Sequence, residues 1–231
     1  MGWKFRNLLI CVLLLGSVNI AFSQQHPVAI LVDEHGETAC DESLGRMDTY
    51  FSELRNNPSG TGLVIISGRP ENKDRSILRQ SILEAHTKDR GFNAGRFRIA
   101  RANSNEDLKV QYWLIAPGAD EPEIVGLDMS YNLPWDMKPR MLGYESDVGG
   151  VCPEVDDAAT FGAFLRANKR ARGNVVIRDK SKVRALRRAA RVLNYFVAKY
   201  GIRRSRLRTF IAKPEGPTNY YGPNVEYWYL P

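Results

Sequence analysis

Gly62-Leu63-Val64-Ile65-Ile66 and Gly173-Asn174-Val175-Val176-Ile177 are two short runs, each opened by a glycine and rich in β-branched residues, and their reading decides the fold. Runs this short and continuous suit buried central strands. Around them the chain repeats itself. Residues 27–33, leading to Cys40, lie over 139–145, leading to Cys152, at an offset of 112. A glutamate follows each cysteine (Glu42, Glu154), and then a Leu-Arg pair (Leu54-Arg55, Leu165-Arg166). Gly91-Phe92 and Arg96-Phe97 match Gly201-Ile202 and Arg206-Leu207, and Val110-Gln111-Tyr112-Trp113 matches Val225-Glu226-Tyr227-Trp228. Six blocks in one order, with offsets drifting only from 110 to 115, mark a duplication.

Each copy has the same order of elements. A short β-rich run (28–33; 141–145) precedes a helix (41–56; 154–169). In the first helix Leu44, Met47, Phe51 and Leu54 recur at three- and four-residue steps, which makes one buried face. Asn57-Pro58-Ser59-Gly60 stops it. The central strand (63–66; 175–177) leads to a second helix (74–90; 182–200), whose apolar set in the later copy is Val183, Leu186, Val192, Leu193 and Phe196. Gly91 and Gly201 stand where C-capping glycines belong. Two more strands (96–100 and 109–116; 206–211 and 225–230) close each unit. The expectation is an α/β chain of the α+β kind, β-α-β-α-β-β twice. Each copy would be a two-layer sandwich with its helices on one sheet face. The units span 27–118 and 139–231, joined by an acidic, proline-containing linker at 119–138.

The 231 residues are 43% hydrophobic and 26% charged, which excludes a disordered, collagen-like or polytopic membrane protein. Residues 1–23 read as an export signal. Lys4 and Arg6 precede the apolar run 8–16, which is short of the ~20 residues a membrane span needs. Ala21-Phe22-Ser23 then offers small residues for cleavage after Ser23, giving a periplasmic or secreted chain; an uncleaved anchor is the alternative. Cys11 leaves with the signal. Cys40 and Cys152 remain at equivalent positions in a compartment that permits a bridge. Duplication alone accounts for both, so two free, small, buried thiols are the expectation.

Three features carry a family resemblance: the buried strand ending in a glycine turn, the helix after it, and the pattern Gly-[Phe/Ile]-x-x-x-Arg-[Phe/Leu]. Together they resemble the OmpA-like peptidoglycan-binding domain. Val-Ala-Lys-Tyr-Gly-Ile-Arg-Arg-Ser-Arg-Leu (197–207) is similar to that family's segment after its second helix. Cys40-Asp41-Glu42, Arg46-Met47-Asp48 and Tyr112-Trp113-Leu114-Ile115-Ala116-Pro117-Gly118 are similar to exported bacterial proteins with divergent domains of this kind. The resemblance implies a site for the diaminopimelate of a peptidoglycan stem peptide, with an acid after the central strand and an arginine on the next helix. A ligand with carboxylates and an ammonium requires one cation and one anion held in fixed geometry. Carried over by residue, the resemblance implies Glu71, Asn72, Ser76 and Arg79 in the first copy. In the second, Arg188 takes the arginine position, Lys182 stands where the first copy has Glu71, and Asp179 is the only nearby acid. Neither copy matches the whole pattern, and solvated charges on the second helices are the alternative.

Charge is uneven along the chain, whose net is +7. Residues 169–208 hold fifteen Lys/Arg against one acid, Asp179, whereas 24–118 hold twelve against thirteen. Arg184, Arg187, Arg188 and Arg191 share one helix face and repel one another unless an anion lies near. Such a face suits an anionic polymer. In an exported chain, peptidoglycan or another anionic envelope polymer ranks above nucleic acid, which is not expected; a solvated face is again the alternative. Tyr220, Tyr221, Tyr227, Trp228 and Tyr229 crowd the last strand, either packed on helices or forming a platform for sugars. Hydrolase, zinc-protease, P-loop and dinucleotide motifs are absent, and the three histidines (His26, His35, His86) are scattered. No catalytic residue, metal or cofactor is therefore assigned. The expectation is a non-catalytic binding module rather than an enzyme. The alternative is a structural module that meets an envelope protein through decayed ligand sites.

Overall fold

The computed structural model describes residues 26–134, 136–145, 157–214 and 225–231. The export-signal stretch, Cys152, Tyr220 and Tyr221 lie outside the described residues. Along the chain come β1 (Ile30–His35), α1 (Cys40–Asn56), β2 (Thr61–Gly68), α2 (Lys73–Asp89), β3 (Phe97–Asn103) and β4 (Lys109–Ile115). The same sequence of types follows: β5 (Arg140–Glu145), α3 (Asp157–Ala167), β6 (Arg172–Arg178), α4 (Lys182–Tyr200), β7 (Leu207–Ala212) and β8 (Val225–Leu230). The protein is thus mixed α/β, with two four-stranded sheets of order β1-β4-β2-β3 and β5-β8-β6-β7. β2 runs parallel to β3 and antiparallel to β4, as β6 does to β7 and β8. The last strand of each unit inserts between its first and second.

Strand pairing corrects one offset. Leu31 and Met141 pair with the equivalent Trp113 and Trp228, and a bulge follows each. The first strands are therefore related by 110 positions rather than 112, so Asp33 answers to Gly143 and not to Glu145. A bulge places two residues opposite one, and matching of residue types alone cannot see it.

The shared glycines have a steric reason. A Cβ on Gly62 would strike the Tyr50 ring, and one on Gly173 the Phe161 ring, so the first helix of each unit can lie close on its central strand. Gly91 and Gly201 adopt φ of 58° and 65° after the second helices, the left-handed conformation that glycine takes without strain.

In the first core Met47, Tyr50, Phe51 and Leu54 of α1 pack on Val64, Ile66, Phe97 and Tyr112. Tyr50 joins the face expected of α1, whereas Leu44 is only half-buried. In the second core Phe161, Phe164 and Leu165 meet Val175, Ile177, Phe196 and Tyr227. The Tyr227 ring lies 5.3 Å from Phe161 and 5.7 Å from Phe196, so this aromatic of the last strand packs against helices. On α4 the buried positions are Ala185, Ala189, Leu193 and Phe196, while Val183 and Leu186 are 58% and 52% exposed. Of the expected apolar set, Leu193 and Phe196 are buried and Val192 packs on the core, while Val183 and Leu186 are corrected to surface positions. Leu193 and Phe196 fix the helix rotation, and stepping back by helical turns from them reaches the alanines.

The segment expected to be a linker packs along both units. Ala119 and Ile124 cover Leu63, Ile65, Ala100 and Ile115 on the outer face of the first sheet. Further on, Leu133 and Met137 enter the second core together with Ile77 of α2. That helix lies between the two cores, with Lys73, Asp74, Arg79 and Gln80 buried on it. Asp74 accepts from Arg140 Nη1 at 2.7 Å across the boundary. Arg101, 1% exposed, ties α2 to the inter-unit segment: Nε donates to Gln80 Oε1 at 2.6 Å and Nη1 to the Ser130 carbonyl at 3.0 Å. Cys40 is disulfide-bonded, which corrects the expectation of a free thiol there; its partner lies outside the described residues. Among the described residues no helix is long and apolar enough to cross a membrane.

Candidate functional site

The first-unit residues do not converge. Glu71 is exposed in the short turn Pro70–Asn72. Asn72 accepts from Arg140 Nη1 at 3.4 Å, a contact toward the second unit. Ser76 is buried, and its Oγ donates to the Lys73 carbonyl of its own helix at 2.9 Å. Arg79 is 6% exposed and turns under the loop before α1, where Nη2 donates to the Thr38 carbonyl at 2.9 Å. Its Nη1 is buried without a hydrogen-bond partner. Burial pulls the Arg79 pKa down, against the fields of Tyr112, Glu37 and Glu42. The acids acting on this arginine thus differ from the implied Glu71.

What gathers near Arg79 is a set of neutral polar groups. His35 Nε2 lies 3.4 Å from Tyr112 Oη, with the rings stacked at 5.9 Å. Burial lowers the His35 pKa, and Arg79 and Arg46 push the same way against the Gly36 carbonyl and Asp33. The Tyr112 phenol is pushed up to about 12 by burial. Ser43 Oγ, buried beside that phenol, forms no well-shaped hydrogen bond. The chemistry available is a neutral imidazole, a protonated phenol and a guanidinium with one open donor. Such a set can receive one acceptor oxygen; the acids around it, Asp33, Glu37 and Glu42, are already paired with Arg46 and Arg75.

The second-unit residues do converge, at the start of α4. Ser181 caps the helix by accepting from Arg184 N at 3.4 Å. Asp179 Oδ1 accepts from Ser181 N at 2.7 Å and from Arg184 Nη2 at 2.8 Å. The Arg184 bond, then the Ser181 amide, then the charges of Arg184 and Arg188 hold the Asp179 carboxyl below its ordinary range. Arg188 is half-buried beside them. Arg187 and Arg191 continue the face, exposed and without an ion pair among the described residues. The acid of this cluster is thus already neutralised from within, and the arginines beyond it are not.

Other arginines, unassigned from sequence, do structural work. Arg96 Nη2 donates to the carbonyls of Leu54, Asn57 and Gly60 at 2.8–3.1 Å. Arg206 repeats this on Leu165, Asn168 and Ala171 at 2.6–2.8 Å. Each closes the open carbonyls after the first helix of its unit. The spacing Gly91-x-x-x-x-Arg96 and Gly201-x-x-x-x-Arg206, kept while its surroundings differ, is the signal that points to them. Lys73, 7% exposed, pairs with Asp128 at 2.5 Å. Burial works against the Asp128 carboxylate, but Lys73 and Ser130 hold its pKa well below the usual range. His86, 1% exposed, has Nε2 2.9 Å from Asp48 Oδ1 on α1, so its meaningful acid is not its sequence neighbour Glu84. Among the described residues no group of three or more His, Cys, Asp or Glu could hold a metal ion. Comparison with family models and with curated proteins finds no match.

Proposed function

We propose that the protein is an exported, non-catalytic binding module that contacts an anionic envelope polymer, peptidoglycan included, through its second unit. The observation that carries this reading is the arginine face of α4. Arg184, Arg187 and Arg191 are exposed on a helix whose one nearby acid among the described residues, Asp179, is already paired with Arg184. Arg187 and Arg191 form no ion pair among the described residues, like charges on one face repel each other, and a polyanion relieves that repulsion while releasing its counterions. The first unit supports the reading less, because Glu71 faces solvent and Arg79 is turned inward. The test is a pull-down of the mature chain with purified cell-wall sacculi. Binding is expected to fall steeply with salt and to drop in an Arg184→Ala/Arg187→Ala/Arg191→Ala variant. Salt-independent binding, or full retention by the variant, sinks the reading.

The interaction-module reading has one observation in its favour: Val183 and Leu186 are 58% and 52% exposed among these arginines. It predicts that Leu186→Glu disturbs a protein contact while sacculus binding is unchanged.

A further inference from the structure

At the far end of α4 the helix stops beside the end of α3, and the chain turns through Gly201 toward β7. A cavity of about 240 Å³ opens there, lined by Arg166, Lys169, Arg203 and Arg206 around Tyr200 and Gly201. No acid lines it. Arg206 is committed to the three carbonyls already described. The side chains of Arg166, Lys169 and Arg203 form no hydrogen bond or ion pair among the described residues.

Cations are favoured at helix C-termini by the helix dipole, which would be the ordinary account of this corner. The structure leaves that account little to explain. Arg206 takes the carbonyls at the end of α3, and the amides of Gly201 and Ile202 take those of Val197 and Phe196 on α4, at 3.2 and 3.3 Å. The equivalent corner of the first unit shows what the fold needs. There Arg96 alone holds the carbonyls, Arg55 lies over the Phe92 ring at 5.4 Å, and Arg90 pairs with Asp48 at 2.8 Å. Pro58 and Asn93 stand where the second unit has Lys169 and Arg203. The fold therefore uses one arginine, and the other cations of the second corner are surplus to it.

We propose that this corner binds a phosphate group, as a phosphomonoester or pyrophosphate end. A phosphomonoester carries about −1.5 to −2 charges near neutral pH and three acceptor oxygens, which suits cations arriving from two separate turns better than a single carboxylate does. Arginine forks meet phosphate oxygens in pairs, and Lys169 supplies a point charge. The volume lies below the roughly 300–1,000 Å³ of pockets for whole small molecules, so the site takes a headgroup while the rest of the ligand stays outside. The site lies apart from the arginine face of α4 and goes beyond the envelope-polymer reading by adding a second anion site. It rests on that reading only for the source of the phosphate.

The test is calorimetric titration of the mature chain with pyrophosphate, and with a dicarboxylate as control. Lys169→Ala/Arg203→Ala is expected to weaken pyrophosphate binding about tenfold or more, the loss of one charge-assisted contact or two. Both side chains are exposed, so folding should be unaffected. Lys88→Ala/Arg98→Ala, exposed in the first unit and remote from both basic surfaces, should stay within about twofold of wild type. No pyrophosphate binding, equal binding of the dicarboxylate, or an equal loss in both variants overturns the proposal. Vesicles bearing phosphatidic acid separate the sources. If they bind and lose binding in the first variant, the phosphate is lipid-borne; if only pyrophosphate behaves so, it is carried by a soluble or polymer-linked group. Pyrophosphate binding without sacculus binding would leave the pocket and remove the polymer reading. Sacculus binding without pyrophosphate binding would do the reverse.

Discussion

β2 and β6 hold the same place in their sheets yet are buried differently. From Gly62 to Ile66 every residue of β2 is buried, whereas in β6 Asn174, Val176 and Arg178 alternate as half-exposed positions. The helix-facing sides are alike, and the difference is on the other side. Residues of the inter-unit segment cover the first sheet. On the second, the same side carries the Arg178–Glu226 pair at 2.6 Å, with Trp228 Nε1 donating to the same glutamate at 2.8 Å. A duplicated sequence thus preserves the pattern that meets its own helices, while the outward pattern follows whatever lies over it. Charge divides the same way: the surplus arginines belong to the unit whose outer sheet face is the more polar.

The comparison can be broken most directly at the outer face. Ile65→Ala should cost about 2–4 kcal/mol of stability, by transfer and cavity together, and Val176→Ala less than about 1 kcal/mol. Equal costs in denaturant titrations would mean that the two faces are covered alike. What the units share is sharpened by Arg96→Ala and Arg206→Ala. Each removes charge-assisted bonds to three carbonyls and should cost about 2–3 kcal/mol; a large loss at only one would show that the two arginines are not equivalent.

Acid should tell the units apart, because His35 is in the first and the second has no histidine. Burial holds the folded pKa of His35 below that of the unfolded chain, so between those two values the unfolded state binds more protons. Stability is full above the unfolded value of about 6.5 and declines as pH falls below it. Hydrogen exchange, corrected for its intrinsic pH dependence, should quicken in β1 and β4 before β5 and β8; the opposite order would count against a neutral His35. The smallest effect belongs to Asp179→Asn. Its partner Arg184 is 69% exposed, so less than about 1 kcal/mol of stability should change. Polymer binding should instead rise as Arg184 is released, and a fall in binding would make Asp179 part of the contact.

The legible parts of the fold were those with local causes. α4 runs from the Ser181 cap to the Gly201 turn, and both boundaries are written in single residues. The central strands announce themselves by β-branched runs. The bulges at Leu31–Asp33 and Met141–Gly143 have no such mark, since Leu31-Val32 and Met141-Leu142 read as ordinary apolar strand. The buried polar face of α2 was illegible for a different reason: Lys73, Asp74 and Arg79 look solvated in sequence but are buried by partners far along the chain. The first-unit residues implied for a site diverge for the same reason. Arg79 is bound to Thr38, a contact that no spacing on the helix reveals. The basic corner was invisible as a site because Lys169 and Arg203 come together only after the Gly201 turn. Their excess charge, by contrast, could be counted.

The placement of α2 bears on whether the halves are separable. It supplies Leu83 to one core and Ile77 to the other, and Asp74 holds an arginine from across the boundary. Severing the chain between the units would leave Ile77 facing water and Arg140 without its carboxylate. Two units with the same order of elements thus depend on each other unequally: the first lends the second a piece of its interior, and neither half can be traded for the other.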